Sequence, residues 1–294
     1  MYTLVASKRD PASSLMAEYL VNRIGFIRNE NISYRSQNAN HLRNHETLVA
    51  KENCVPYDSY AFANMELYVS HNKSLLHLDN MDKLFPDSEA FIFLSRHSSE
   101  SGIPTLTCHF TGNFSENNQY GGFPRELGIC YPYLQKQFIK EIINNRSSVL
   151  DYEITIEATH HGPTSLKKPL LFIEIGSTEK QWADTRAASV VCDILISILT
   201  RKTAETRCRN VGIALGGTHY PKKFNQILLE SEFGLAAVAP RHNLKSVDES
   251  MLDQMISKSF ERVTHGIVDR KGLGKEKNRI LKLIDKKNLE LLEL

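Results

Sequence analysis

The sequence predicts an α/β protein in which helices lie on both sides of a mixed, largely parallel sheet, giving three layers, α/β/α. Strand-like and helix-like segments alternate along the 294 residues, which is typical of sheets with helical connections. Residues 169–175 are almost wholly apolar, as in a strand buried on both faces, whereas residues 151–158 alternate polar and apolar side chains, as in a strand with one exposed face. We expect one compact domain over residues 1–294, because no clear linker interrupts the pattern.

Local signals place the first elements. Residues 2–7 form an extended run, and Asp10 followed by Pro11 predicts the start of a helix that Gly25 ends, because aspartate is a good N-cap and proline fits the first helical turn. A second helix is expected at 133–144. Other strand-like runs lie at 65–70, 90–95, 105–110, 211–215 and 235–239.

Two capping boxes predict later helices. Thr178-x-x-Gln181 precedes an apolar helix at 182–199, and Ser246-x-x-Glu249 precedes a helix that runs to about Val263. A short helix is expected at 224–231. Residues 29–53 are polar and rich in asparagine and predict an irregular insertion, and the glycines and proline between 111 and 128 predict a long functional loop.

The cysteines and the N-terminus indicate the compartment. The chain has five cysteines, an odd number, widely spaced and without a Cys-x-x-Cys pair, so neither a disulfide framework nor a thiolate zinc site is expected. Charged residues follow the first strand before a secretory segment could form, and no stretch has the length of a membrane span. We expect a cytoplasmic monomer with no membrane partner.

The C-terminal segment 270–287 is strongly basic in a chain whose net charge is only +2. It holds eight lysines and arginines against Glu276 and Asp285, and a local cation density of this kind favours contact with a phosphate backbone. The alternative is a solvated helix face, because Ile280, Leu281 and Ile284 have a spacing that would dock such a helix on the core. Both readings stay open.

Imidazoles follow four strand-like runs. His97 and His109 end two runs, His160 and His161 follow a third, and His219 follows a fourth. Any one of them is more often a structural residue, but together they indicate proton transfer or metal ligation at one edge of the sheet. Convergence of these rings on one cleft is the central expectation of the sequence.

Other polar residues extend this candidate site. Glu174 lies inside an apolar strand and must be paired or have a raised pKa. Gly176-Ser177-Thr178 opens a helix, where backbone N–H groups can bind an anion, although the spacing alone favours an ordinary helix cap. His97-x-x-Glu100 with a later histidine can supply a zinc site, but the pattern is short. Lys222 and Lys223 follow His219 and suit an anionic substrate.

At these residues the chain resembles a known family. Ser95-Arg-His-Ser-Ser-Glu-Ser-Gly, Glu157-Ala-Thr-His-His-Gly-Pro-Thr164, Phe172-Ile-Glu-Ile-Gly-Ser-Thr-Glu179 and Gly216-Gly-Thr-His-Tyr-Pro-Lys222 occur in this order. Together they are similar to the archaeal and plant type of D-aminoacyl-tRNA deacylase. The chain departs from that pattern in the insertion at 29–53 and in Ala239-Pro-Arg-His242-Asn, where a Gly-His turn is expected.

The resemblance implies a phosphorylase/hydrolase-like fold and hydrolysis of the ester that joins a D-amino acid to the terminal ribose of tRNA. It also implies a zinc cofactor and the acceptor end of aminoacylated tRNA as partner. We expect His160 or His161 as general base or ligand, Glu174 as its partner, and Thr164, Ser177 and Thr178 as donors to the oxyanion or ribose. The remaining candidates bind substrate (Arg96, His219, Lys222, Lys223) or metal (His97, Glu100, His109). A zinc-dependent exopeptidase or amidohydrolase and a noncatalytic RNA-binding protein are the alternatives.

Overall fold

The computed structural model describes residues 1–29, 56–201 and 207–294, so the predicted insertion lies outside the described residues except for Asn29. Twelve strands are found in this part of the chain: Tyr2–Ser7 (β1), Ile27–Arg28 (β2), Tyr57–Phe62 (β3), Met65–Ser70 (β4), Ala90–Arg96 (β5), Thr105–His109 (β6), Glu153–Ile156 (β7), Leu170–Gly176 (β8), Asn210–Leu215 (β9), Phe233–Ala239 (β10), His265–Val268 (β11) and Glu290–Glu293 (β12).

Eight α-helices accompany these strands within the same ranges: Pro11–Tyr19 (α1), Met81–Leu84 (α2), Pro132–Asn144 (α3), Glu179–Trp182 (α4), Thr185–Thr200 (α5), Lys222–Glu230 (α6), Glu249–Ser257 (α7) and Lys277–Lys286 (α8). A π-helical turn, Leu20–Ile24, extends α1 and ends at Gly25, whose φ is 94°. Across the described ranges, the helices are all too short or too polar to cross a membrane.

The strands form two sheets, which the alternation of elements does not specify. The larger sheet has eight strands in the order β2-β3-β4-β1-β5-β8-β6-β7, and the smaller has four parallel strands in the order β10-β9-β11-β12. In the larger sheet β2, β3 and β4 pair antiparallel, as do β8 and β6, and its other pairs are parallel. The predicted α/β class with a mixed, largely parallel sheet is confirmed.

Both faces of the larger sheet are covered. Side chains that alternate along β1, β5 and β8 belong to two separate apolar clusters. One face packs under α1, α3 and α5, and the other is covered by α2, the turn Leu75–His77 and Leu166. This double burial explains why β8 is apolar at all but one non-glycine position, as residues 169–175 predicted.

The start of α1 is tied to the end of β5. The Asp10 carboxylate caps α1 by accepting from the Ser13 N–H at 3.0 Å, so the predicted N-cap is confirmed. Its second oxygen accepts from the Arg96 N–H at 3.0 Å and from the Ser95 hydroxyl at 3.3 Å. One aspartate therefore fixes the point at which the chain leaves β5 toward His97.

Two helix boundaries differ from the prediction. The predicted helix 182–199 is two helices, because Asp184 accepts from the Arg186 and Ala187 N–H groups and begins α5 anew. Helix α7 begins after Asp248, which accepts from the Met251 N–H, so the box at Ser246 does not cap it. It ends at Ser257 rather than near Val263, because Ser259 then forms a β-bridge with Cys130.

The box at Thr178 is confirmed, since the Thr178 N–H donates to the Gln181 side chain at 3.1 Å.

The basic C-terminal segment is largely a docked helix. Ile280 and Ile284 of α8 are fully buried, as the second reading of this segment required. Several of its cations are neutralised within the chain: Arg270 by Glu293, Arg279 by Glu276, Lys286 by Glu249, and Lys287 by Glu249 and Asp253. Four of the eight basic side chains that suggested phosphate contact therefore form ion pairs within the protein.

Asp58 of β3 joins the antiparallel edge of the larger sheet to β1. Its carboxylate accepts from Lys8 at 2.8 Å, from Arg28 at 2.6 Å and from His71 at 2.8 Å. Burial acts to raise the pKa of Asp58, but the hydrogen bonds of Lys8 and His71 outweigh it and lower the pKa. The folded protein thus holds this carboxylate in its charged form.

Asp58→Asn should lower the free energy of unfolding at pH 7 by about 1.5–3 kcal/mol, the usual contribution of hydrogen bonds to a charged group. A group with a lowered native pKa adds stability above its unfolded pKa of about 3.9 and loses it as the pH falls through the native value. The difference between variant and wild type should therefore shrink as the pH falls below about 3.9. Urea unfolding from pH 7 to pH 3 measures it, with the exposed Asp87→Asn as control; a pH-independent difference would contradict the assignment.

Candidate active site

A cleft of about 740 Å³ opens where β1 and β5 end and where the loops after β6, β7, β9 and β10 meet. Its lining contains nearly all of the predicted imidazoles together with acidic residues. The charged and imidazole side chains of the lining include Asp10, Arg96, His97, Glu157, His160, His161, Glu174, His219 and His242. The expected convergence of side chains from distant segments is therefore present.

Two buried carboxylates share one imidazole at the floor of the cleft. His97 Nδ1 lies 3.3 Å from Glu157 Oε1 and 3.4 Å from Glu174 Oε2. All three residues are at most 5% exposed. On its other side His97 Nε2 lies 2.8 Å from the Tyr220 hydroxyl. The ring is thereby held from both of its nitrogens.

His109 enters the site from an unexpected direction. Because β6 runs antiparallel to β8, the end of β6 lies beside Phe172 near the start of β8 and not at the edge where β5 ends. The expectation of one common sheet edge is wrong for His109, and also for His160 and His161, because these follow β7, which is parallel to β6. His109 nonetheless reaches the cluster, with Nε2 3.7 Å from Glu174 Oε1 and its ring centre 4.1 Å from that of His160.

Three imidazoles share the same hydrogen-bonding arrangement. The Nδ1 of His109, His160 and His161 donates to a backbone carbonyl, that of Phe110 at 3.0 Å, Ala158 at 2.8 Å and Gly162 at 2.7 Å. In the neutral tautomer this leaves each Nε2 with a free lone pair. One ring nitrogen of each lies within 4.8 Å of the others, and His109 Nε2 is buried without a hydrogen-bond partner among the described residues.

The turn after β9 supplies a further pair. His219 Nε2 lies 2.7 Å from Glu157 Oε2, and its ring centre lies 4.7 Å from that of His160. The turn begins at Gly216 and Gly217, both with positive φ, where the backbone packs against Asp269 and Gly272. Glu157 thus accepts a hydrogen bond from His219 with one oxygen and lies within ion-pair distance of His97 with the other.

The buried histidines and glutamates at the floor of the cleft stabilise one another's charged forms. Burial acts to lower the pKa of His97, but Glu157 and Glu174 raise it to about 11. Burial acts to raise the pKa of both glutamates, and their histidine partners lower it below the usual range. Burial also acts to lower the pKa of His109, but the neighbouring Glu174 carboxylate outweighs this effect and raises the pKa above its usual value.

The two histidines of the turn after β7 differ from those of the floor. Burial, with the neighbouring charges of His109 and His161, holds the pKa of His160 well below its usual value. Burial and His109 lower that of His161 to about 3. Both rings are therefore neutral at physiological pH, as metal ligands must be.

Three groups of described residues have the proximity of metal ligands: His109 with His160 and His161, Glu157 with His160 and His219, and His97 with Glu157 and Glu174. Glu100, predicted as a ligand, is exposed and lies outside all three groups, because the chain turns toward solvent after Ser98. The structure thus does not bring His97, Glu100 and His109 together as one ligand set.

Several predicted substrate contacts lie away from the cleft. Thr164 is buried, donates to Glu126 at 3.0 Å and accepts from the Phe123 N–H, and the buried Ser177 donates to the Ile103 carbonyl at 2.7 Å. Thr178 and Lys222 are exposed outside the lining, and Lys223 pairs with Asp269 at 2.8 Å. Arg96 does line the cleft, with its guanidinium 4.9 Å from the Trp182 ring.

Comparisons with known proteins identify the family of this chain. The D-aminoacyl-tRNA deacylase family model matches residues 84–292. The chain belongs to the D-aminoacyl-tRNA deacylase family. It is 42% identical over 206 residues to the D-aminoacyl-tRNA deacylase of Cenarchaeum symbiosum, covering 69% of this chain and 77% of the relative. It is 31% identical over 294 residues to that of Desulfurococcus amylolyticus, covering 99% of both chains.

The structural comparison supports the fold. A crystal structure of a conserved protein of unknown function superposes with a TM-score of 0.83 at 24% sequence identity, covering 100% of this chain and 95% of that one. The resemblance to the D-aminoacyl-tRNA deacylase family that the motifs indicated is confirmed, and neither the peptidase nor the RNA-binding alternative is favoured.

Sequence reasoning missed three residues of this deacylase site. Glu157 ends a segment that alternates like an exposed strand, so its carboxylate reads as solvent-facing, yet it is 1% exposed. Its spacing of three residues from His160 was the available signal. Asp10 was read only as a cap and Tyr220 not at all, because neither has a local pattern that indicates its distant partner.

Proposed function

We propose that this protein hydrolyses the ester bond between a D-amino acid and the terminal ribose of tRNA, releasing both. The observation that carries the proposal is the buried cluster of imidazoles around Glu157 and Glu174 at the base of an open cleft, in a chain of the D-aminoacyl-tRNA deacylase family. The acceptor end of the tRNA enters this cleft. Cytoplasmic location and a monomeric state stay predictions of the sequence.

His219 is the residue best placed to act as general base. Because its Nε2–H donates to Glu157, the neutral ring has Nδ1 free to take a proton from water. Its side chain is 38% exposed, whereas the Glu157 side chain is fully buried. Glu157 therefore orients the ring and stabilises the imidazolium that forms, as the carboxylate of a hydrolytic triad does.

His109, His160 and His161 fit a zinc ion. Their shared arrangement, Nδ1 bonded to a carbonyl and Nε2 free, is the one that ligating histidines adopt. The buried His109 Nε2 has no hydrogen-bond partner among the described residues and lies 3.7 Å from Glu174 Oε1, which raises the pKa of His109, so zinc binding at this nitrogen would release the proton of the ring. These three histidines would hold the zinc, and a zinc bound there would polarise an ester carbonyl and lower the pKa of water.

His97 has a positioning role in this scheme. It is the cation between Glu157 and Glu174, so it keeps two carboxylates ionised within one dry site. Tyr220 fixes the orientation of the ring from the opposite side. This arrangement fixes the position of the Glu157 carboxylate and therefore the orientation of the His219 ring that is hydrogen-bonded to it.

His160→Ala should reduce the rate of D-tyrosyl-tRNA hydrolysis by about 10²–10⁴-fold, the usual effect of removing a group that acts on the transition state. It should also lower the bound zinc measured by mass spectrometry, because one ligand is lost. The control is His265→Ala on β11, a half-buried histidine outside the cleft. Full zinc content and full activity in His160→Ala, with unchanged circular dichroism, would refute the assignment.

Glu157→Gln should lower kcat by about 10²–10⁴-fold and leave KM nearly unchanged, because the amide keeps the shape but not the charge that orients His219. Single-turnover deacylation of D-tyrosyl-tRNA measures the chemical step. The matched control is Glu261→Gln, also a buried glutamate, which accepts from the Tyr133 and Cys208 N–H groups. Equal kcat in wild type and Glu157→Gln would exclude Glu157 from the mechanism.

A further inference from the structure

Tyr120 is an exposed aromatic residue at a functional cleft. It lines the same cleft as the histidines, yet 61% of its surface is exposed. Within the described ranges its ring stacks on no other aromatic residue and its hydroxyl makes no hydrogen bond. The aromatic ring is therefore accessible to a ligand in the cleft.

The backbone that carries Tyr120 is, in contrast, firmly held. Its carbonyl accepts from the Gly162 N–H at 3.1 Å, two residues after His160. The Asn113 side chain donates to the carbonyls of Gly121 and Phe123 at 2.9 and 3.1 Å. The loop and the histidine turn are thus one hydrogen-bonded unit.

Two glycines allow this close approach. Gly121 and Gly122 have φ of 81° and 75°, a region that side chains disfavour. A Cβ at Gly121 would overlap the carbonyl oxygen of Leu76, and one at Gly162 would overlap the backbone of Gly121 and Gly122. The loop is therefore packed between the turn Leu75–His77 and the histidine turn, with the ring of Tyr120 free.

We propose that Tyr120 stacks on the terminal adenine of the aminoacylated tRNA and so positions the ester over the histidine cluster. This inference rests on the proposed function. A rigid backbone with a free aromatic ring is the form of a preorganised base-stacking platform, because every base offers a flat face and little freedom is lost on binding. Leu76, which is partly exposed and also lines the cleft, adds apolar surface to it.

The position of the loop suits the substrate. The adenine and the ester are carried by one ribose, so the base must bind within about one sugar's width of the reacting carbonyl. The backbone of Tyr120 lies beside the turn that bears His160 and His161, because the Tyr120 carbonyl accepts from the Gly162 N–H. Arg96 and Arg9 line the cleft as well and supply cations for the adjoining phosphates.

The test compares Tyr120→Ala, Tyr120→Phe and Phe123→Ala. Phe123 is the matched control, because it is 56% exposed on the same loop and does not line the cleft. Tyr120→Ala should raise KM for D-tyrosyl-tRNA by about 5- to 150-fold, the range for loss of one stacked base, with little change in kcat. It should weaken binding of the unacylated trinucleotide CCA by a similar factor. Tyr120→Phe and Phe123→Ala should stay within about 2-fold of wild type, since each keeps the ring at position 120.

A base-free substrate, the methyl ester of D-tyrosine, completes the design. Its hydrolysis should be the same in wild type and Tyr120→Ala, because it has no adenine. Equal trinucleotide affinity in wild type and Tyr120→Ala, or an equal loss in Phe123→Ala, would overturn the proposal. If wild type binds CCA through Tyr120 but hydrolyses no D-aminoacyl-tRNA, the proposed function fails and the stacking role of Tyr120 stands. If wild type hydrolyses D-aminoacyl-tRNA and Tyr120→Ala does so with the same KM, the proposed function stands and the stacking role of Tyr120 fails.

Discussion

The site depends on one electrostatic constraint, the burial of Glu157 and Glu174 on either side of His97. An isolated carboxylate in so dry a place would lose its charge, since removing it from water costs more than any single hydrogen bond returns. Both glutamates stay ionised because His97, His109 and His219 face them. Removing any partner would leave a buried charge uncompensated, so the histidines and glutamates stabilise one another as a set.

The reversal of strand direction between β8 and β6 makes this set possible. Glu174 comes from β8, whereas Glu157 and His109 come from β7 and β6, which run the opposite way. In a wholly parallel sheet all polar side chains would arrive at one edge, side by side. Here they meet from two directions above the sheet, so each carboxylate can be surrounded by imidazoles.

The sequence predicted the elements well and the site in part, for physical reasons. Apolar runs and caps such as Asp10 and Thr178 are local signals, and most predicted strands and helices lie within a few residues of the structure. Strand order, strand direction and the split into two sheets follow from contacts between distant residues, which periodicity does not encode. For the same reason the pattern His97-x-x-Glu100 was wrong about Glu100: a short motif does not specify which way the following turn faces.

Exposure rises from the floor of the cleft to its mouth, and this gradient separates the tasks of the residues. The side chains of Glu157 and His109 are inaccessible, that of His219 is 38% exposed, and Tyr120 at the rim is 61% exposed. Fixed charges act most strongly where water is excluded, whereas proton transfer needs a ring that water and substrate can reach. A group at the floor cannot meet a large polyanion, and a group at the rim cannot hold a buried charge. The order of these residues along the cleft therefore combines a buried, mutually stabilised cluster with groups that a substrate can reach.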